Sequence, residues 1–181
     1  MCSTALSIVH FVNGKEIMAP RFPLFIDIEH QQCVVVGGGA VAARRTETFL
    51  RCGAKVKVIA ESFSEPFAVI LAEHGERVEL VDASYHERHL QGAHVVTAAT
   101  DDSLVNAKVG EWCKAKNIPV SIADDPAQSS FFFPGIVTRG ELAVGISTNG
   151  TSPAAARQVR EIIEMVLPED FGERIAAVGR T

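Results

Sequence analysis

From residue 24 to residue 123 the chain alternates two kinds of apolar spacing. Short unbroken runs rich in β-branched residues read as strands buried on both faces, and the segments between them carry helical spacing. Pro23–Ile28 is expected as a first strand, followed by a polar turn at Glu29–Gln32 and a second strand at Cys33–Val36. A helix is expected over Val41–Cys52, with Phe49 and Leu50 on its apolar side and Gly53 as its stop. Lys55–Ile59 reads as the next strand. Ser64-Glu65-Pro66 then supplies a capping serine and a first-turn proline for a helix that Gly75 ends. Strands follow at Val78–Val81 and Ala93–Thr100. Asp101-Asp102-Ser103 caps a helix at Leu104–Lys116, and Pro119–Ala123 is one more strand. Regular strand–helix alternation predicts an α/β fold with a doubly wound parallel sheet, since right-handed crossovers place helices on both faces.

Beyond residue 123 the pattern changes. Ser130–Val137 and Leu142–Ser147, joined by Thr138-Arg139-Gly140-Glu141, read as a small antiparallel hairpin. Phe131-Phe132-Phe133 puts aromatic bulk on both sides of its strand, which predicts packing against a second subunit and hence a homodimer. Ser152-Pro153 pairs a cap with proline at the first helical position, and Val159, Ile162, Ile163 and Val166 form a helical stripe that Pro168 stops before a short tail. Residues Met1–Ile17 share no periodicity with the rest, and Met18 directly precedes the expected fold; a loose extension or a mis-called start is expected there. The domain reading is therefore an extension at 1–22, a parallel-sheet domain at 23–123, a dimerisation and active-site segment at 124–151, and a helical segment at 152–181.

Composition narrows the class. A net charge of −5 on 181 residues argues against a nucleic-acid binder. No run reaches the roughly 18 apolar residues of a membrane span, and the N-terminus lacks the features of a secretory signal. Cys2, Cys33, Cys52 and Cys113 lie far apart, which suits reduced thiols in a cytoplasmic protein rather than disulfides or a metal site.

The chemistry is carried by the turn Gly37-Gly38-Gly39-Ala40-Val41-Ala42, spaced G-x-G-x-x-A between an expected strand and helix. Gly37 suits the sharp turn, Gly39 the close approach of backbone to a pyrophosphate, and Ala42 tight strand–helix packing. The helix N-terminus would offer unpaired N–H groups to the phosphates. Glu61, at the end of the next strand, stands where a carboxylate binds a ribose hydroxyl and favours NAD over its phosphorylated form. His86 and His89 have helical spacing but no further ligands nearby in sequence, so an exposed polar turn is expected rather than a metal site. His74 suits a helix C-terminus, and Trp112, near Val109 and Cys113, suits the core.

Four segments together carry a resemblance: Val34–Ala42, Ala98-Ala-Thr-Asp-Asp102, Ala123-Asp-Asp-Pro126 with Phe131-Phe-Phe-Pro134, and Ile146-Ser-Thr-Asn-Gly-Thr-Ser-Pro153. In this order they resemble the precorrin-2 dehydrogenase/ferrochelatase family, the N-terminal part of siroheme synthases. That resemblance implies a Rossmann domain, a small antiparallel dimerisation segment and a helical C-terminal segment. It implies NAD-dependent oxidation of precorrin-2 to sirohydrochlorin, with Fe²⁺ insertion following in some members. Gly39, Ala40, Val41, Glu61, Ser62, Thr100 and Asp101 match cofactor positions, and Asp124 matches the family's essential aspartate. Asp124 falls at the carboxyl end of an expected strand, where such sheets bind ligands and where one carboxylate could accept a proton. The plainer alternative is that Asp124 and Asp125 cap a turn before Pro126. For the polycarboxylate substrate, Ser130, Arg139, Arg157, Arg160, Thr148, Gly150 and Ser152 are candidates. Ser121 and Asn149 depart from the family pattern. A rival from another class is a non-catalytic NAD- or tetrapyrrole-sensing module; a second is a Rossmann oxidoreductase acting on a different small substrate.

Overall fold

The computed structural model describes residues 10–12, 15–17 and 21–178. The chain divides into two units: one is Ile26–Phe133, and the other joins the residues up to Phe25 with those from Pro134 onward. The division falls after Phe133 rather than after residue 123. The reason is local: the Ser129 and Ser130 hydroxyls still receive the Ile122 and Val120 N–H groups at 2.8 Å, which keeps this stretch on the sheet edge.

In the larger unit the elements run β3 (Gln32–Val36), α1 (Ala40–Arg51), β4 (Lys55–Ala60), α2 (Pro66–His74), β5 (Val78–Asp82), a 3-10 turn at Glu87–Leu90, β6 (Val95–Ala98), α3 (Ser103–Ala115) and β7 (Val120–Ile122). The strands form one parallel sheet in the order β5-β4-β3-β6-β7. The order reverses at β3, whose two neighbours are β4 and β6, so the crevice at the carboxyl ends of β3 and β6 is where this topology binds ligands.

Side-chain alternation along β3 explains why the sheet is covered twice. Cys33 and Val35 join one core with Phe49, Leu50 and Phe67 from α1 and α2. Val34 and Val36 join the other with Val109 and Cys113 from α3. Each fully buried valine contributes about 1.5–3 kcal/mol through apolar burial, which fixes the strand register because a one-residue slip would exchange the two faces. The end of α1 and the start of α3 follow their sequence signals. Gly53 takes φ +80° after α1, and the Asp102 side chain accepts the Leu104 N–H at 2.8 Å to start α3. Ser64 does not cap α2: among the described residues its buried hydroxyl has no hydrogen-bond partner, while its carbonyl accepts the Phe67 N–H.

Further expectations are corrected. Pro23–Ile28 forms no strand; Pro23 lacks an N–H, and Leu24 and Phe25 stand exposed with no ladder partner. The phenylalanine triplet does not leave an uncovered apolar surface. Phe131 and Phe133 pack against the core of their own unit, with the Phe133 ring 5.3 Å from Phe49 and the Arg45 guanidinium 4.0 Å above it. The aromatic argument for a second subunit therefore falls away. The stretch after Pro168 is not a bare tail but helix α5 (Phe171–Val178).

The smaller unit contains β1 (His10–Val12) paired antiparallel with β2 (Lys15–Ile17), so part of the expected loose extension is a hairpin; Met1 and Met18 lie outside the described residues. It also contains the expected hairpin β8 (Gly135–Arg139) and β9 (Leu142–Ile146), then α4 (Pro153–Val166). Ser152 caps α4 through the Ala155 N–H at 3.1 Å. Gly172 lies so close to the hairpin turn that a Cβ there would meet the Arg139 backbone at 2.7 Å, which is how α5 docks on it.

Candidate active site

A crevice of about 720 Å³ opens over the carboxyl ends of β3, β4 and β6. Its floor is the glycine turn, and the three glycines differ in why they are glycines. Gly37 has φ +126°, and a Cβ there would overlap the Ala99 carbonyl. A Cβ on Gly38 would overlap the Ser62 carbonyl oxygen. Gly39 is different, since a Cβ there would meet no protein atom within 4 Å. Its missing side chain keeps room on the crevice side, in front of the N-terminus of α1. That helix has neither a side-chain cap nor an acidic residue in its first turn, so the amides around Ala40 and Val41 remain available to an anion. This cradle fits a dinucleotide pyrophosphate. NAD bound here would supply a hydride acceptor.

Glu61 and Ser62 line the same crevice at the end of β4, and the Ser84 hydroxyl donates a hydrogen bond to Glu61. Thr100 and Asp101 line it from the loop after β6. The structure thus brings Gly37, Gly39, Glu61, Ser62, Thr100 and Asp101 to one crevice, with Ala40 and Val41 opening the helix beside it.

Asp124 follows the last residues of β7, is exposed, and accepts a hydrogen bond at Oδ1 from Asn106 Nδ2 at 2.9 Å. The same Asn106 donates to the Thr100 carbonyl at 3.0 Å and accepts from the Thr100 hydroxyl at 2.8 Å. One buried amide therefore joins Asp124 to the crevice wall. Asp125 behaves otherwise. Its carboxylate accepts from the Gln128 side chain at 2.7 Å and from the Ala127 and Gln128 amides, and these bonds, the Gln128 side chain foremost, hold its carboxyl below the usual value. Turn capping belongs to Asp125, and Asp124 stands clear of it. Asn106 was not anticipated from the sequence. Its signal was a polar residue on the otherwise apolar inner face of α3, beside Val109 and Cys113.

The expected substrate-binding residues have structural partners. The Ser130 hydroxyl is engaged by the Val120 backbone at 2.8 Å, in the larger unit. In the smaller unit, Arg139 Nε donates to the Leu167 carbonyl at 3.0 Å and Nη1 to the Thr138 carbonyl at 2.9 Å, satisfying the end of α4. Thr148 donates to the Ser152 carbonyl at 3.0 Å, and Ser152 caps α4. Gly150 takes φ +83° and faces open space. Arg160 pairs with Glu164 at 3.2 Å, whereas Arg157 is exposed and has no hydrogen-bond or ion partner among the described residues. The His86 and His89 rings cap the 3-10 turn, and among the described residues no three ligating side chains cluster as a metal site would require.

A parallel sheet reversing at a glycine turn, with a carboxylate at the end of the second strand, defines a dinucleotide-binding protein. Residues 24–135 match the family model described as putative NAD(P)-binding, and residues 139–165 match that of the sirohaem biosynthesis protein central segment. The chain belongs to this NAD(P)-binding family and, within it, groups with the siroheme synthases and precorrin-2 dehydrogenases. Siroheme synthase of Psychrobacter sp. (strain PRwf-1) is 37% identical over 158 residues, covering 87% of this chain and 32% of that one. Siroheme synthase 1 of Pectobacterium atrosepticum is 39% identical over 158 residues, with the same 87% and 32% coverage. The chain thus spans about a third of the length of these relatives. Among solved structures, the protein described as SirC, precorrin-2 dehydrogenase, superposes with a TM-score of 0.74 at 25% identity, covering 84% of this chain and 74% of that one.

Proposed function

We propose that this chain oxidises precorrin-2 to sirohydrochlorin with NAD as hydride acceptor, and that Asp124 is the base. The observation that carries this reading is the Asp124–Asn106–Thr100 connection, which ties a solvent-accessible carboxylate to the wall of the dinucleotide crevice. Oxidation removes a hydride and a proton from the macrocycle. Bound NAD would supply the hydride acceptor, and the Asp124 carboxylate takes the proton. Glu61, held by Ser84, binds a ribose hydroxyl and disfavours a 2′-phosphate.

In the smaller unit, Arg157 and the Gly150 amide ahead of α4 suit the substrate's carboxylates, with Arg139, Thr148 and Ser152 shaping that surface; Ser130 belongs to the larger unit. Fe²⁺ is a second substrate in this reading, with Asp124 accepting the pyrrole protons that the metal displaces. The protein is a homodimer, supported now by the exposed Val159, Ile162, Met165 and Val166 of α4 rather than by the phenylalanines. A cytoplasmic setting is supported by the exposed free thiol of Cys52. No helix of the described residues is long and apolar enough to cross a membrane. The acidic charge balance speaks against nucleic acid.

The test is anaerobic incubation with fresh precorrin-2 and NAD, following NADH and sirohydrochlorin by absorbance, with Fe²⁺ added afterwards. Equimolar NADH and sirohydrochlorin are expected. A protein that binds NAD and precorrin-2 yet forms no NADH would instead be the sensing module.

A further inference from the structure

We infer that Asn106 is a positioning residue for the reaction, holding the Asp124 carboxylate and the Thr100 loop as one rigid piece. This rests on the reading of Asp124 as the base. Asn106 sits in the first turns of α3 at 1% exposure. A buried primary amide has two lone pairs and two N–H donors, and each unmade bond costs about 1–3 kcal/mol. Here all four are made. Oδ1 accepts from the Thr100 amide at 3.2 Å and the Thr100 hydroxyl at 2.8 Å. Nδ2 donates to the Thr100 carbonyl at 3.0 Å and to Asp124 Oδ1 at 2.9 Å.

Three of these bonds close on one residue of the crevice wall, and the fourth reaches a side chain eighteen positions along the chain. Had Asn106 served only to start α3, Thr100 and the Asp102 cap would have sufficed. Among the described residues no other side chain or amide holds the Asp124 carboxylate. Asn106 therefore sets where Oδ1 lies and leaves Oδ2 free to take a proton. Thr100 lines the crevice, so the cofactor and the base are referred to the same amide. A misplacement of about 1 Å between such groups costs on the order of 100-fold in rate.

The discriminating variant is Asn106→Asp. It keeps the shape and the acceptor for the Thr100 amide and hydroxyl, but puts an oxygen where Nδ2 faced Asp124. The other charged groups on the elements meeting there are Asp101 and Asp102 before α3, Lys108, Glu111 and Lys114 on α3, and Asp125 after β7; β6 and β7 carry none. None of these bonds to Asp124, so their contribution is common to parent and variant.

Two readouts are taken on the full chain with NAD: the pH profile of kcat and KM for precorrin-2, and carbon NMR titration of the Asp124 carboxyl, assigned with Asp124→Asn. In Asn106→Asp, kcat falls about 10- to 100-fold with little change in KM through the misplaced base, and the acid limb of the kcat profile moves to higher pH. The titration of the Asp124 carboxyl in the variant moves up with that limb, because two adjacent carboxyls share a proton. An unmoved profile and titration in a folded Asn106→Asp protein overturn the inference, whatever happens to its melting temperature. Should that variant not fold, Asn106→Ser replaces it and shows a smaller shift in the same direction, with no shift again overturning the inference. If the parent protein itself forms no NADH, the dehydrogenase reading fails, and the titration alone then decides whether Asn106 governs Asp124.

Discussion

The two units of this chain handle apolar surface in opposite ways. In Ile26–Phe133 the strands β3 and β6 are buried on both faces, and even the phenylalanines at its end turn back onto α1. From Pro134 to residue 177, by contrast, Val137, Ile146 and Gly172 are the buried residues, and α4 has none although it is strongly amphipathic in pattern. A unit that closes its own core can hold a cofactor crevice rigidly. A helix that leaves Ile162, Met165 and Val166 exposed offers an apolar face of the kind the proposed homodimer requires.

The sharpest break in this comparison lies in the glycine turn. Gly38→Ala drives a methyl into the Ser62 carbonyl, so a loss of about 3 kcal/mol or more is expected in urea unfolding, together with loss of NAD binding. Gly39→Ala should leave the urea midpoint where it is and weaken NAD alone, as seen by calorimetric titration. Equal destabilisation by both would show that Gly39 answers to the fold and not to a ligand. Phe133→Ala should then cost roughly 2–3 kcal/mol in stability, since it removes the ring that bridges Phe49 and Arg45, without altering the sedimentation coefficient. Ile162→Ser with Met165→Ser should do the reverse. In sedimentation velocity that double variant runs as monomer where the parent runs as dimer, with the larger unit's stability kept.

A smaller effect concerns the thiols. Burial raises both Cys33 and Cys113 from 9.0 to about 12, with Cys52 adding to the rise at Cys33. A folded value above the unfolded one gives stability that is fully present below pH 9 and declines as pH rises toward 12. Denaturation midpoints should fall across that window, and less so in Cys113→Ala. Iodoacetamide at pH 8 should label Cys52 in the folded protein and reach Cys33 and Cys113 only in denaturant.

Much of the larger unit was legible in the sequence, because a strand covered on both faces must be apolar at every position, as Cys33–Val36 is. Capping chemistry was equally local, as at Asp102 and Ser152. What escaped depends on partners distant in sequence. Pro23–Ile28 has strand composition but no ladder, and Phe131–Phe133 reads alike whether it meets another subunit or α1. Arg139 has a cation's profile on paper, yet its donors are consumed by the end of α4. Within the site, Asp124 and Asp125 are neighbours of one type, and only their hydrogen-bond partners separate a turn cap from a free carboxylate. Asn106 was hidden for the same reason, since its meaning lies in two loops that α3 brings together.

The central claim is that the cofactor crevice and the Asp124 carboxylate are separate parts of one catalytic site. It is tested most directly by measuring NAD affinity and NADH formation from precorrin-2, side by side, in the parent protein and in Asp124→Asn. The account predicts matching NAD dissociation constants and a rate lower by about 100-fold or more in the variant. Undiminished NADH formation by Asp124→Asn would contradict it.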